Sequence, residues 1–253
     1  LYNITFSPTG GTRKAAALLI GGLEGEVCQV DLTDSRLDPG TVAMTEEDMA
    51  VISVPSYGGR VPAVAVERLT ALKGGGARAV LVCVYGNRAY EDTLVELEDA
   101  AKQAGFRVIA AVAAIAEHSI ARQFATGRPD EQDAQQLAGF ARQIRDKIAA
   151  GSCAEPAIPG NRPYRERGAS NPMGPENVNG CTHCGLCVRN CPVGAIDAED
   201  PGKVDASKCL RCLACVRLCP IHSKQFTSDA YKGSVAWCLS TFKEPRKEPE
   251  FYL

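Results

Sequence analysis

The sequence predicts an α/β chain in which a doubly wound, five-stranded parallel sheet is followed by a small, cysteine-rich α+β domain. Three observations carry this. Over residues 1–150 short β-branched runs alternate with longer helical stretches, the pattern of parallel strands joined by crossover helices. Of the 12 cysteines, those at 181, 184, 187, 191, 209, 212, 215 and 219 crowd into one short stretch. Between these regions, residues 151–179 carry Pro156, Pro159, Pro163, Pro172 and Pro175 with few aliphatics, too little apolar surface for a core.

Strands are expected over 3–7, 26–31, 50–54, 79–85 and 107–116, and the near-continuous apolarity of the last three suits strands covered on both faces. Helices are expected over 11–23, 62–72 and 90–105. The gap 33–48 contains Pro39 and Gly40 and is only weakly helical. A last helix is expected over 130–150, where Leu137, Phe140, Ala141, Ile144 and Ile148 recur at three- and four-residue steps between Pro129 and Gly151. The division that follows is 1–150 for the sheet domain, 151–179 for a linker, 180–228 for the cysteine domain and 229–253 for a tail. Residues 151–179 have an alternative reading as an ordered strap along one domain. In the tail, Val235, Ala236, Trp237 and Leu239 are expected to cover a domain.

A length of 253 residues with 45% hydrophobic and 23% charged residues suits two folded domains. A net charge of -2 and the lack of a Lys/Arg block argue against nucleic acid as a partner. No apolar run reaches bilayer length and the N-terminus lacks a signal-peptide succession, so a cytoplasmic, reducing location is expected, without membrane insertion. The first residue is Leu1 and not methionine, and the numbering is expected to start after a lost or unnumbered residue.

Residues 181–191 and 209–219 form an internal repeat, each reading C-x2-C-x2-C-x3-C-P. A [4Fe-4S] cube needs four thiolates from a tetrahedral set of directions; ligands every three residues supply three corners, and the fourth comes from elsewhere. C-x2-C pairs also bind zinc, but zinc needs neither the third cysteine nor the trailing Cys-Pro. The doubled motif resembles that of bacterial two-cluster ferredoxins, over about residues 178–228. The resemblance implies two [4Fe-4S] clusters, one on Cys181, Cys184, Cys187 and Cys219 and the other on Cys209, Cys212, Cys215 and Cys191. His183 and His222 stand close by, but eight cysteines leave no ligand position to fill. Cys28 and Cys83 read as buried strand residues, and Cys153 and Cys238 receive no role.

The first expected strand ends in Ser7-Pro8-Thr9-Gly10-Gly11-Thr12 and runs into a helix, which gathers backbone N–H groups and hydroxyls into an anion site. It is neither the dinucleotide G-x-G-x-x-G nor a P-loop, so a lone phosphate fits better than a pyrophosphate or a triphosphate. The loop resembles the phosphate loop of flavodoxins, which holds FMN. That resemblance assigns Ser7, Thr9, Gly10, Gly11 and Thr12 to the phosphate, Tyr57, Gly58 and Gly59 to one flavin-ring loop, and Tyr85, Gly86, Asn87 and Tyr90 to the other. Tyr57 would face the ring, and Gly58 or Gly59 would allow the peptide rotation that bonds the reduced flavin's N5. Arg13 and Lys14 read as a solvated helix face, with a charge contact to the phosphate as the alternative; Arg60 and Arg88 read either as steadying the flavin or the cysteine domain or as solvated, and His118 as a loop histidine on the same rim.

Taken whole, the chain resembles the flavodoxin-ferredoxin fusion proteins of anaerobes. The resemblance implies an electron-transfer protein that passes electrons between FMN, two [4Fe-4S] clusters and external redox partner proteins. An iron-sulfur flavoenzyme that reduces a small substrate at FMN is the alternative, and a flavin-free partner-binding scaffold is a third. Gly74-Gly75-Gly76 precedes a strand and offers no nicotinamide site. No catalytic residue is assigned.

Overall fold

The computed structural model describes residues 1–168, 172–242 and 245–253. Strands form where alternate residues are apolar toward both faces. β1 (Tyr2–Thr5) leads through α1 (Gly11–Ile20) to β2 (Cys28–Asp31), and β3 (Met49–Pro55), α2 (Ala63–Thr70), β4 (Arg78–Tyr85), α3 (Thr93–Gln103), β5 (Arg107–Ile115) and α4 (Glu131–Ala149) follow. These five strands are parallel in the order β2-β1-β3-β4-β5, the flavodoxin-like doubly wound order, in which the direction of strand addition reverses between β1 and β3. One face packs Ile52, Leu81 and Cys83 against Leu69 of α2 and Leu94 and Leu97 of α3. The other packs Val51, Val82 and Val112 against Leu19 of α1 and Leu137 and Ile144 of α4.

Each expected strand lies where the pattern put it, and the helices are shorter than their patterns. α1 stops at Gly21 and Gly22, where a Cβ on Gly22 would come within 2.5 Å of Ala141 on α4. The gap 33–48 holds a single 3-10 turn, Pro39–Thr41, begun by Asp38, whose carboxylate accepts from Gly40 N at 3.0 Å. Cys28, expected to be buried, is exposed: β2 takes an outer place in the sheet and its Cys28 and Gln29 face solvent.

The proline-rich segment read as a linker lies along α3. Its arginines meet acidic residues before and along that helix: Arg162 pairs with Glu98 and Asp99 at 2.8 and 2.7 Å, Arg165 with Glu91, and Arg167 with Glu96 at 2.8 Å. Asp92, at the N-cap of α3, accepts from Asn161 N, Asn161 Nδ2 and Arg165 N and not from its own helix. Burial works against its ionisation, and these donors outweigh burial and hold its pKa below the ordinary carboxylate value.

The cysteine segment folds as β6 (Glu176–Asn177), α5 (Leu186–Arg189), α6 (Ala214–Leu218) and β7 (Lys224–Gln225), with β6 and β7 paired antiparallel. α7 (Asp229–Thr241) and β8 (Glu250–Tyr252) complete the chain. β8 pairs antiparallel with β5, so the expected five-stranded parallel sheet gains a sixth, antiparallel strand. Phe251 stacks on Phe140 of α4 with ring centroids 4.3 Å apart. The expectation for the tail picked the wrong face of α7: Trp237 and Leu239 are exposed, while Cys238 is buried.

Arg128 joins α4 to this tail. Its guanidinium donates to both carboxylate oxygens of Asp133, a capping-box residue of α4, and to Lys247 O at 2.7 Å. Both side chains of the pair are almost fully buried. Arg128→Ala would leave the buried Asp133 carboxylate with only the longer Arg246 ion pair at 3.7 Å, so it should lower unfolding free energy by about 3 kcal/mol in urea titration and speed proteolysis of the tail.

Candidate functional site

A cavity of about 450 Å³ opens at the carboxyl ends of β1, β3, β4 and β5, where a doubly wound sheet places its ligand. The loop after β1 enters first. Gly10 has φ 87°, a left-handed conformation that suits glycine, and turns the chain into α1. Ser7 serves the loop's own structure: its N–H donates to Thr33 Oγ1 at 2.7 Å and its Oγ accepts from Arg13 N at 3.0 Å. Thr9, Gly11 and Thr12 line the cavity, whereas Ser7 and Gly10 do not. Thr12 is 4% exposed, and no group among the described residues takes its hydroxyl. The N–H groups of Gly11 and Thr12, in the first turn of α1, have no acceptor within that helix. An anion bound here would meet these donors. Arg13 pairs with Asp31 at 2.6 Å and Lys14 is exposed.

After β3, Tyr57 and Arg60 exchange backbone hydrogen bonds around Gly58 and Gly59, whose φ values of 62° and 79° make a type I′ turn. All three of Tyr57, Gly58 and Gly59 line the cavity. A Cβ on Gly59 would strike Glu91, whereas one on Gly58 would meet nothing within 4 Å. Burial, then the charge of Cys212, push the Tyr57 hydroxyl well above its ordinary pKa. Arg60 is not a solvated cation: it makes a two-pronged pair with Glu96 at 2.7 and 2.8 Å, which fixes the base of this turn.

After β4, Tyr85 and Gly86 line the cavity and Asn87 and Tyr90 do not. Asn87 instead grips the tail, donating to Pro245 O and accepting from Lys247 N. Tyr90 bonds Glu250 and Tyr252 through its hydroxyl. Gly86 is held by space: a Cβ would run into the His118 ring and come within 2.8 Å of His118 Cβ. His118 lines the cavity, and its Nδ1 accepts from Ala121 N at 3.0 Å and Ile120 N at 3.3 Å. Burial, then the nearby Arg88 charge, lower its pKa, so the ring is neutral with its proton on Nε2.

The rest of the wall comes from segments that the sequence did not assign to the site. Arg167 and Met173 flank the strap's end, Leu210 and Arg211 come from the second cysteine loop, and Tyr231, Ser234, Cys238 and Phe242 come from the tail. Phe242 lies edge-on between His118, Phe124 and Trp237. No local spacing marks these residues as neighbours of the loop after β1.

The cysteines divide into two sets. An outer cavity is lined by Cys181, Cys184, Cys187 and Cys219, and an inner one by Cys191, Cys209, Cys212 and Cys215. The repeat is also repeated in backbone. His183 and Arg211, Gly185 and Leu213, and Gly194 and His222 occupy matching positions, and all have positive φ. Ala195 N donates to Cys191 Sγ at 3.3 Å and Ser223 N to Cys219 Sγ at 3.2 Å, again at matching positions. Among the described residues no three of His, Cys, Asp or Glu converge on a point that would hold a single metal ion.

Leu210 lines both the inner cysteine cavity and the large cavity. Arg217, on α6 between two cysteines, donates to Thr9 O at 3.4 Å and lies 3.8 Å from Glu117.

Residues 180–223 match the 4Fe-4S dicluster domain family. The chain joins a sheet of flavodoxin-like strand order to a segment similar to the 4Fe-4S dicluster domain family. Solved structures similar to the chain include a flavodoxin from the domain Archaea (16% identity, 59% of this chain and 99% of that one, TM-score 0.42). A Streptococcus pneumonia TIGR4 flavodoxin (20%, 58% and 98%, 0.40) and the apo form of the NADH:FMN oxidoreductase EMOB (17%, 58% and 89%, 0.42) are others. No curated protein matches the chain as a relative. Among the described residues no helix is long and apolar enough to cross a membrane.

Two glycine substitutions separate backbone from space. Gly58→Ala should cost only about 1–2 kcal/mol, the penalty of a left-handed alanine. Gly86 is not in the left-handed region and pays no such penalty, but Gly86→Ala must displace His118 and should cost about 1–3 kcal/mol; urea unfolding of both variants measures each cost.

Proposed function

We propose that this chain is an electron-transfer protein that binds FMN in the large cavity and one [4Fe-4S] cluster in each cysteine set, and that it relays electrons between these sites and external redox partner proteins. The observation that carries the reading is Leu210, a single side chain that walls both the large cavity and the inner cysteine cavity. The two sites are therefore one residue apart, and the outer set, with Cys181 and Cys184 exposed, faces solvent.

The residues fit the groups. Thr9, Gly11 and Thr12 would hold the phosphate, with the buried Thr12 hydroxyl still free to donate. Tyr57, Gly58, Gly59, Tyr85 and Gly86 would hold the ring, and the space beside Gly58 leaves that peptide room to move. Each cysteine set surrounds a volume and not a point, which suits a cube with its own sulfide better than a zinc ion. When bound, flavin exchanges one or two electrons and each cluster one, so their union converts between two-electron and one-electron traffic. The domains in this reading are the sheet domain over 1–150, the strap over 151–179, the cluster domain over 180–228 and the tail over 229–253, and the location is the cytoplasm.

Anaerobic purification should yield about eight irons, as many sulfides and one FMN per chain; zinc in place of iron, or iron without flavin, would sink the proposal. Cys209→Ala should remove the inner cluster and leave flavin content unchanged. It should also slow flavin reduction by a one-electron donor protein. Thr12→Val removes one phosphate donor and should weaken FMN binding by about tenfold, read by flavin fluorescence, with iron content intact. Turnover of small electrophiles without any protein partner would instead favour an enzyme.

A further inference from the structure

Lys224 on β7 is 2% exposed, an unusual place for an ammonium group. Its Nζ donates to Pro201 O, and among the described residues no carboxylate pairs with it. A buried cation answered only by a carbonyl is costly, so a compensating negative charge is expected close by. Both Lys224 and Pro201 line the outer cysteine cavity. Lys224 also shares a second cavity with Leu213 and Val216, the chain neighbours of Cys212 and Cys215 of the inner set. Its place is fixed by the β6–β7 pairing, where Lys224 stands opposite Asn177.

Resting on the reading that each set holds a cluster, we propose that Lys224 is a positioning charge shared by the two clusters, which stabilises the added electron on each and so raises both reduction potentials. Four thiolates and a sulfide-bridged iron cube carry net negative charge, which grows by one unit on reduction. A cation held in a medium of low dielectric between two such groups acts on both, and it is screened little by salt because it is buried. The same charge is the counterpart that the buried ammonium lacks among the protein's own carboxylates. Solvent-exposed cations nearby, such as Arg189, face water and contribute less.

The test is an anaerobic redox titration of the full holoprotein, followed by electron paramagnetic resonance, comparing wild type with Lys224→Met and Lys224→Arg. In Lys224→Met both clusters should become harder to reduce. At a fixed potential the reduced-to-oxidised ratio of each should fall by roughly tenfold, which for one electron is about 59 mV. Lys224→Arg should restore most of the shift, and iron content should match wild type in every variant. Unmoved potentials with full iron content would overturn the inference, as would a shift confined to one cluster. If Lys224→Met fails to hold iron, Lys224→Gln and Lys224→Arg decide: equal potentials in these two would overturn it. A wild type without paramagnetic clusters on reduction would overturn the reading of the cysteine sets itself.

Discussion

Arg68 ties the sheet to the cysteine domain. From α2 it donates to Leu32 O, just past β2, at 2.7 Å and to Pro192 O, the residue after Cys191, at 2.6 Å. One guanidinium thus sets the distance between a sheet edge and an inner-set cysteine, and Leu210 packs against the core on the same face of the sheet. Arg217 adds a second tie at the loop after β1. A planar donor suits this task, because the Arg68 fork bonds two carbonyls at once. In the proposed function, electron exchange between the two sites would need a short and constant separation, which these contacts would supply without a linker of fixed length.

Much of the fold was legible because its causes are local. β-branched runs and a 3.6-residue period in α4 place their elements from neighbours in sequence. The cysteine sets were legible for a different reason: repeated spacing encodes the same left-handed turns at His183 and Arg211 and at Gly185 and Leu213. The loop after β1 was legible in part. Thr9, Gly11 and Thr12 reach the cavity, but Ser7 closes the loop upon itself, a role that only the position of Thr33 reveals.

What was not legible depends on pairs far apart in the chain. Asn87 and Tyr90 read as ring-loop residues because they follow β4 in the expected place, yet their partners are Pro245, Lys247, Glu250 and Tyr252. β8 has only the residues Glu250, Phe251 and Tyr252, too short for a periodic signal, and it forms because β5 offers an open edge and Phe140 a flat apolar face. In α7 a weak apolar pattern pointed to the wrong side, and the position of Cys238 is set by Ala121 and Phe124 beneath it.

The strap shows how such long-range pairs shape the cavity. Glu96 on α3 is 5% exposed and accepts from Arg60 twice, from Val61 N at 2.8 Å and from Arg167 at 2.8 Å, so its lone pairs are filled by donors from two segments. Arg60 closes the turn that carries Gly58 and Gly59, while Arg167 itself lines the cavity. Proline could not have built a core for residues 151–179, but it stiffens the chain between arginines and lowers the entropy lost when they dock. Charge matching with α3 therefore does for this segment what apolar burial does for the sheet, and the shape of the turn beside the cavity depends on both.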